Sequence, residues 1–172
     1  MEETRESFYI LHLLYLSIMI IRTALKTDFV KVAELYHFFF STHNIFQKSN
    51  QEVVKYLKEQ AQENDLLIYE ENGALKGALF LVNFGQNADG SHKLWKFRHF
   101  AFESEDVASQ LLGEAEKRVK RASKTSKIEL TIAETESGIR FYRSKGYNQE
   151  GALSNHYRWG ETCYILSRSI SK

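Results

Sequence analysis

Three parts of the chain combine residue types and spacings that could do chemistry. The first is the run Lys96-Phe97-Arg98-His99-Phe100-Ala101-Phe102, in which His99 is the one side chain that exchanges a proton near neutral pH. A lone histidine among aromatics also reads as a packed, hydrogen-bonded residue. The second part follows at once, as Glu103-Ser104-Glu105-Asp106-Val107-Ala108-Ser109, where Ser104 is suited to cap a helix. A helix N-terminus offers unpaired N–H groups and partial positive charge, enough to hold a diphosphate without glycine. Glu103, Glu105 and Asp106 stabilise such a helix end while disfavouring an anion beside it, each by less than about 1 kcal/mol when exposed. The third part is Ile139-Arg140-Phe141-Tyr142-Arg143-Ser144-Lys145, whose Arg140, Arg143 and Lys145 form a basic face, either solvated or lining an anion site. Two polar stretches add loop residues of the kind that bind ligands: His43 and Asn44, and Asn155, His156, Tyr157 and Arg158. The second of these also reads as a simple hairpin closed by Trp159-Gly160.

The elements that must position these groups follow from periodicity. Ile18 to Thr23 reads as a strand, and Asp28 to Phe40 as a helix with Thr27 as its cap and Val32, Leu35, Tyr36 and Phe39 as its apolar stripe. A polar loop, Ser41 to Asn50, leads to a second helix over Gln51 to Glu63. Three strands follow, Asp65 to Glu70, Leu75 to Asn83 and Leu94 to Phe102, the first two joined by Glu71-Asn72-Gly73, good hairpin chemistry. Val107, Leu111, Leu112, Ala115 and Val119 then mark a helix over Glu105 to Ala122, and Ile128, Leu130 and Ile132 one face of a strand over Lys127 to Ile132. That strand, helix, strand unit implies a parallel pair with a right-handed crossover. A short helix, Ser137 to Lys145, stops at Gly146, and two strands close the chain, Tyr147 to Leu153 and Thr162 to Ser169.

This order of elements resembles the GNAT superfamily of N-acetyltransferases. IIRTALKTDF resembles the family's first strand and the start of its first helix, LLIYEENGALKGALFL its second and third strands, and EGALSNHYRWGETCYILSR its closing strands. ESGIRFYRSKGY resembles the FYxxxGF/Y signature. The resemblance covers Ile18 to Ser169. It implies an α/β (α+β) fold with a mixed, mostly antiparallel sheet of six or seven strands, a central parallel splay and about four helices. It also implies transfer of an acetyl or similar acyl group from acetyl-CoA to a primary amine by direct attack. Tyr142 matches the usual general acid, and His99 lies where the family often carries its base. The resemblance places the acyl-CoA along Phe100, Ala101, Phe102, Glu103, Ser104, Val107, Ala108 and Ser109, and along Thr135, Gly138, Phe141, Arg143 and Lys145. It puts the amine near His43, Asn44, His156 and Tyr157. The family's Q/R-x-x-G-x-G/A cradle is matched only at Ala108. Two other readings stand beside this one. A GNAT-like binding or regulatory module could have lost catalysis with its glycines, and the aromatic run at 96–102 loosely resembles an RNA-binding strand without its glycine.

Bulk properties narrow the partners. With 172 residues, 43% hydrophobic and 26% charged, the chain has the composition of one globular domain with a substantial core. A formal net charge of +1 gives no broad attraction to phosphate backbones, so no nucleic-acid partner is expected. Cys163 is the single cysteine, which fits a reducing compartment and offers no metal-ligand spacing. Phe8 to Ile21 is apolar but shorter than the ~20 residues a bilayer span needs, and the acidic MEETRE before it is unlike a signal peptide. The expectation is a cytoplasmic protein, monomer or homodimer, with no membrane span and no metal. Residues 1–18 read as an extension to a domain over 19–172, with Met19 a natural start of that domain.

Overall fold

The computed structural model describes residues 18–40, 44–135 and 138–172. Seven strands form one sheet in the order β1-β2-β3-β4-β5-β7-β6. They are β1 (Met19–Thr23), β2 (Asp65–Glu71), β3 (Ala74–Gln86), β4 (His92–Phe102), β5 (Thr125–Ala133), β6 (Asn148–Ser154) and β7 (Thr162–Ser171). Among the described residues four α-helices accompany them: α1 (Phe29–Phe39), α2 (Asn50–Gln60), α3 (Glu105–Ala122) and α4 (Ile139–Ser144). The expected order and the expected parallel pair are both observed.

Alternation along the strands divides the core into two layers. Leu67, Tyr69, Leu79, Leu81, Ile128, Leu130 and Ile132 face α3, whose Val107, Leu111, Leu112, Ala115 and Val119 are buried against them. Leu66, Ile68, Ala78 and Phe80 face the other way, under Val32, Ala33 and Tyr36 of α1 and Val53 and Leu57 of α2. The α1–α2 layer therefore covers β2 to β4. Gly77 lets α3 approach the sheet closely, since a methyl there would lie 2.8 Å from Val107 Cγ1.

Local chemistry sets the boundaries. The β2–β3 turn has positive φ at Asn72 (51°) and Gly73 (80°), as a type I′ hairpin turn requires. Ser49 and Glu52 form a capping box on α2. Thr27 does not cap α1; it lies inside a 3-10 turn, Lys26–Asp28, that leads into the helix. Asp28 organises this turn instead: its carboxylate accepts from the Leu25 N–H at 2.6 Å and from Arg22 at 2.6 and 3.0 Å. Arg22 also donates to Glu70 at 2.7 Å, so one guanidinium joins β1, β2 and the start of α1.

Among the described strands only β4 and β5 run parallel, and their pairing runs from His92↔Thr125 to Lys96↔Glu129 and then stops. Beyond it, Phe97–Phe102 and Leu130–Ala133 part without ladder partners across the gap. On the other side of β4, Ala78 pairs with Ala101 but Phe80 pairs with Arg98, so Leu79 opposes two residues, His99 and Phe100. This β-bulge has His99 at φ 50°, a left-handed backbone uncommon for a residue other than glycine.

Candidate active site

The gap between β4 and β5 is flanked by Phe100 and Phe102 of β4 and by Phe141 and Tyr142 of α4. Its β4 wall exposes backbone. Glu103 N–H donates to the Lys76 carbonyl at 2.9 Å, which makes Lys76–Glu103 a hydrogen-bonded pair of the β3–β4 ladder. Such bonding alternates along a strand, so the N–H and C=O of Phe102 point to the opposite edge, into the gap. That edge has no β5 partner, which leaves a donor available to a carbonyl oxygen.

Tyr142 lies at the base of the gap. It is buried on α4, with its ring centroid 6.3 Å from Phe100 and 5.7 Å from Tyr147. Gly138, ahead of α4, allows this approach, because a methyl there would lie 3.0 Å from Ile132 Cδ1 and 3.6 Å from Tyr142 Cε2. Tyr142 thus sits between Phe100 of β4 and Ile132 of β5. Burial, and then the Glu116 carboxylate, push the neighbouring Tyr147 hydroxyl well up, so it stays protonated. Phe141 is buried and meets Phe102 at 6.0 Å, narrowing the gap with aromatic surface.

At the mouth of the gap, α3 starts as expected. Ser104 Oγ caps it by accepting from Val107 N–H at 3.3 Å, and Ala108 N–H bonds the Ser104 carbonyl at 3.0 Å. Val107 and Ala108 are buried and their amides are spent within the helix. Ser109 Oγ donates to the Glu105 carbonyl at 2.8 Å. Of the first-turn donors, the Glu105 and Asp106 amides are those without an intrahelical acceptor. The side chains of Glu103, Glu105 and Asp106 beside this helix end are exposed. The remaining candidates for cofactor contact are more scattered. Lys145 lies over the Phe141 ring at 5.5 Å, exposed Arg143 donates to Gln149 at 3.1 Å, and Thr135 donates to Glu161 at 3.1 Å.

His99 projects into the α1–α2 layer. Its Nε2 is 2.7 Å from the Tyr56 hydroxyl, and the rings of Tyr36, Phe40, Phe46, Tyr56 and Phe80 surround it at 5.0 to 6.3 Å. Both the packed reading and the proton-exchanging reading of this residue therefore have a physical basis. Phe97 and Phe100, by contrast, are buried in the α3 layer and offer no face for stacking a base.

On the α1–α2 side of β5, Lys127, Glu129 and Thr131 are half-buried or exposed, and Thr131 Oγ1 meets the Tyr157 hydroxyl at 2.7 Å. The β6–β7 hairpin thus reaches over β5, with the rings of His156 and Tyr157 4.6 Å apart. His43 lies outside the described residues, and Asn44 begins a 3-10 turn, Asn44–Gln47. A cavity of about 600 Å³ adjoins the β4 end, lined by residues that include Glu34, Phe38, Leu75, Phe102 and Glu103. Another of about 550 Å³, between Lys26, Phe29, Lys58 and Gln62, touches none of the site residues. Sequence reading missed Tyr56 and Thr131. Among the described residues no helix is long and apolar enough to cross a membrane, and no cluster of metal-ligating side chains is present.

At the level of sequence, no protein-family model and no curated protein matches the chain. Solved structures do match its fold. The aminoglycoside 6'-N-acetyltransferase from Enterococcus faecium is 15% identical with a TM-score of 0.70, the match covering 89% of this chain and 98% of that one. An acetyltransferase of the GNAT family from Streptococcus pneumoniae is 18% identical with a TM-score of 0.66, covering 90% and 100%. A candidate acetyltransferase from Salmonella typhimurium, solved with its cofactor acetyl-CoA, is 13% identical with a TM-score of 0.61, covering 90% and 95%. The chain has the GNAT fold over nearly its whole described length.

Proposed function

We propose that the protein is an acyl-CoA-dependent N-acetyltransferase that acylates a primary amine by direct attack. The observation that carries this reading is the open β4–β5 gap, with a backbone donor on one wall, a buried tyrosine at its base and a capped helix end at its mouth. The residues present fit acetyl-CoA. The Glu105 and Asp106 amides suit its diphosphate, and the unpaired β4 edge from Phe100 to Phe102 suits its amide-bearing arm, which can add to the sheet like a strand.

Acetyl-CoA supplies the activated acyl group. The amine nitrogen forms the new C–N bond to the acyl carbon as the C–S bond breaks. The Phe102 N–H stabilises the charge that develops on the acyl oxygen. Tyr142 gives its hydroxyl proton to the departing thiolate and regains one from solvent. His99 receives the proton that the amine nitrogen loses, a role that matters most for an alkylamine, of which only about one molecule in several thousand is neutral at pH 7. The acceptor side of the site is the α1–α2 face of β4 and β5, bounded by Arg98, Thr131 and the His156–Tyr157 hairpin.

Calorimetry with acetyl-CoA on wild type and on Tyr142→Phe tests the proposal. The expected result is equal affinity in both and a turnover lower in the variant by roughly 10² to 10⁴, the residual reflecting a thiol that leaves fairly well unaided. Absence of binding at millimolar acetyl-CoA would instead favour a non-catalytic module, and an unaltered rate would remove Tyr142 from the acid role.

A further inference from the structure

We propose that Tyr56 and His99 form one proton-accepting unit, in which the Tyr56 hydroxyl meets the amine and hands its own proton to His99 Nε2. The inference rests on the transferase reading above and adds to it a residue on a helix remote in sequence.

The geometry is specific. Tyr56 Oη lies 2.7 Å from Nε2, a short contact for a hydroxyl and a ring nitrogen. Tyr56 is half-buried, and His99 is the hydrogen-bond partner its hydroxyl has among the described residues. In the proposed unit the proton of this bond belongs to the Tyr56 hydroxyl, with Nε2 as its acceptor. In neutral His99 the ring proton then sits on Nδ1, and the Nε2 lone pair is reached through the tyrosine oxygen. Burial raises the Tyr56 hydroxyl above its ordinary range, so it remains protonated at neutral pH and always has a proton to pass on.

The surroundings favour a concerted transfer. The ring of His99 is enclosed by Tyr36 and Phe40 at the end of α1, Phe46 in the connecting turn, Tyr56 of α2 and Phe80 of β3. The titratable or charged groups among these and on β4 itself are Tyr36, Tyr56, His92, Lys93, Lys96 and Arg98. Tyr36 is fully buried and held protonated by desolvation, and Arg98 is exposed and acts on Tyr56 through its charge. A largely apolar shell strengthens the Tyr56–His99 hydrogen bond and the coupling along it. The bulge that aims His99 into this shell holds a non-glycine residue at φ 50°, a strained backbone of the kind retained at functional sites.

The step balances. As the amine nitrogen bonds to the acyl carbon, its proton goes to Tyr56 Oη, and the former hydroxyl proton of Tyr56 goes to His99 Nε2. The products are an amide, a neutral tyrosine and an imidazolium, which loses its proton to water in the next cycle. Tyr142 protonates the thiolate separately.

The test compares full-length wild type, Tyr56→Phe, His99→Gln and the double variant. It measures acetyl-CoA affinity by calorimetry, acetylation of a panel of amines (a lysyl peptide, spermidine and kanamycin), melting temperature, and the imidazole ¹⁵N spectrum. The expected result is a loss in kcat of roughly 10²-fold or more in each single variant, with acetyl-CoA affinity unchanged. The double variant should be within about threefold of the worse single one, as for residues acting as a unit. The wild-type spectrum should show neutral His99 protonated on Nδ1, and Tyr56→Phe should shift its Nε2 resonance. Multiplying losses, a Tyr56→Phe rate equal to wild type, or a Nε2 resonance indifferent to Tyr56→Phe overturns this proposal alone. No acetyl-CoA binding and no turnover of any panel amine overturns the transferase reading and this unit with it.

Discussion

The acidic mouth of the gap makes a prediction with two opposite signs. Replacing Glu103 and Glu105 by Gln and Asp106 by Asn removes three exposed carboxylates beside the end of α3, keeping their size. Each exposed charge near a helix terminus is worth about 0.3–1 kcal/mol toward a group at that end. Three together oppose a diphosphate by about 1–3 kcal/mol, so the triple variant should bind acetyl-CoA about 5- to 140-fold more tightly. The gain should shrink at 1 M salt, where the screening length falls to about 3 Å. Stability should move the other way, because Glu105 and Asp106 occupy the first turn of α3 and complement its dipole. Their loss should destabilise the fold by about 0.5–2 kcal/mol. Calorimetry at low and high salt, with urea unfolding of the same samples, reads both effects. If acetyl-CoA affinity stays the same or weakens while stability falls, the diphosphate does not sit at this helix end.

Asp28→Asn should cost about 2–3 kcal/mol at pH 7 in urea unfolding, since a charge-assisted contact to Arg22 is lost. The Arg22 guanidinium holds the Asp28 carboxyl below the usual range. Its stabilisation is therefore complete above the ordinary carboxylate pKa of about 4 and is lost as pH falls through the lower native value. The gap between wild type and variant should accordingly close in acid. Gly138→Ala should push Ile132 and Tyr142 apart, given a methyl contact of 3.0 Å, costing about 1–3 kcal/mol of stability and more turnover than acetyl-CoA affinity. A melting curve with a turnover assay reads both effects.

Much of the fold was legible because its signals are local. The apolar spacing of α3 fixed both of its ends, and Asn72-Gly73 announced the β2–β3 turn. Errors arose where partners distant in sequence decide. Asp28 is taken by Arg22 and the Leu25 amide, so Thr27 loses the capping position that its type suggested. β3 runs on through Phe84-Gly85-Gln86 because Leu94 and Lys93 pair with it, which no property of those three residues indicates. The candidate site divides in the same way. Tyr142 and Ser104 were visible from motif position and capping chemistry. Tyr56 was not, since it lies 43 positions from His99 and meets it only in the folded chain.

The extra residue at His99 also sets the phase of everything after it in β4. Before the bulge, Trp95 and Phe97 face α3 as odd positions; after it, the even positions Phe100 and Phe102 do so, and Ala101 lies beneath α1. Losing a single codon between Arg98 and Phe100 would therefore leave composition and hydrophobicity almost untouched. Yet it would turn two phenylalanines outward from their layer and present an alanine where the Tyr142 ring needs a wall.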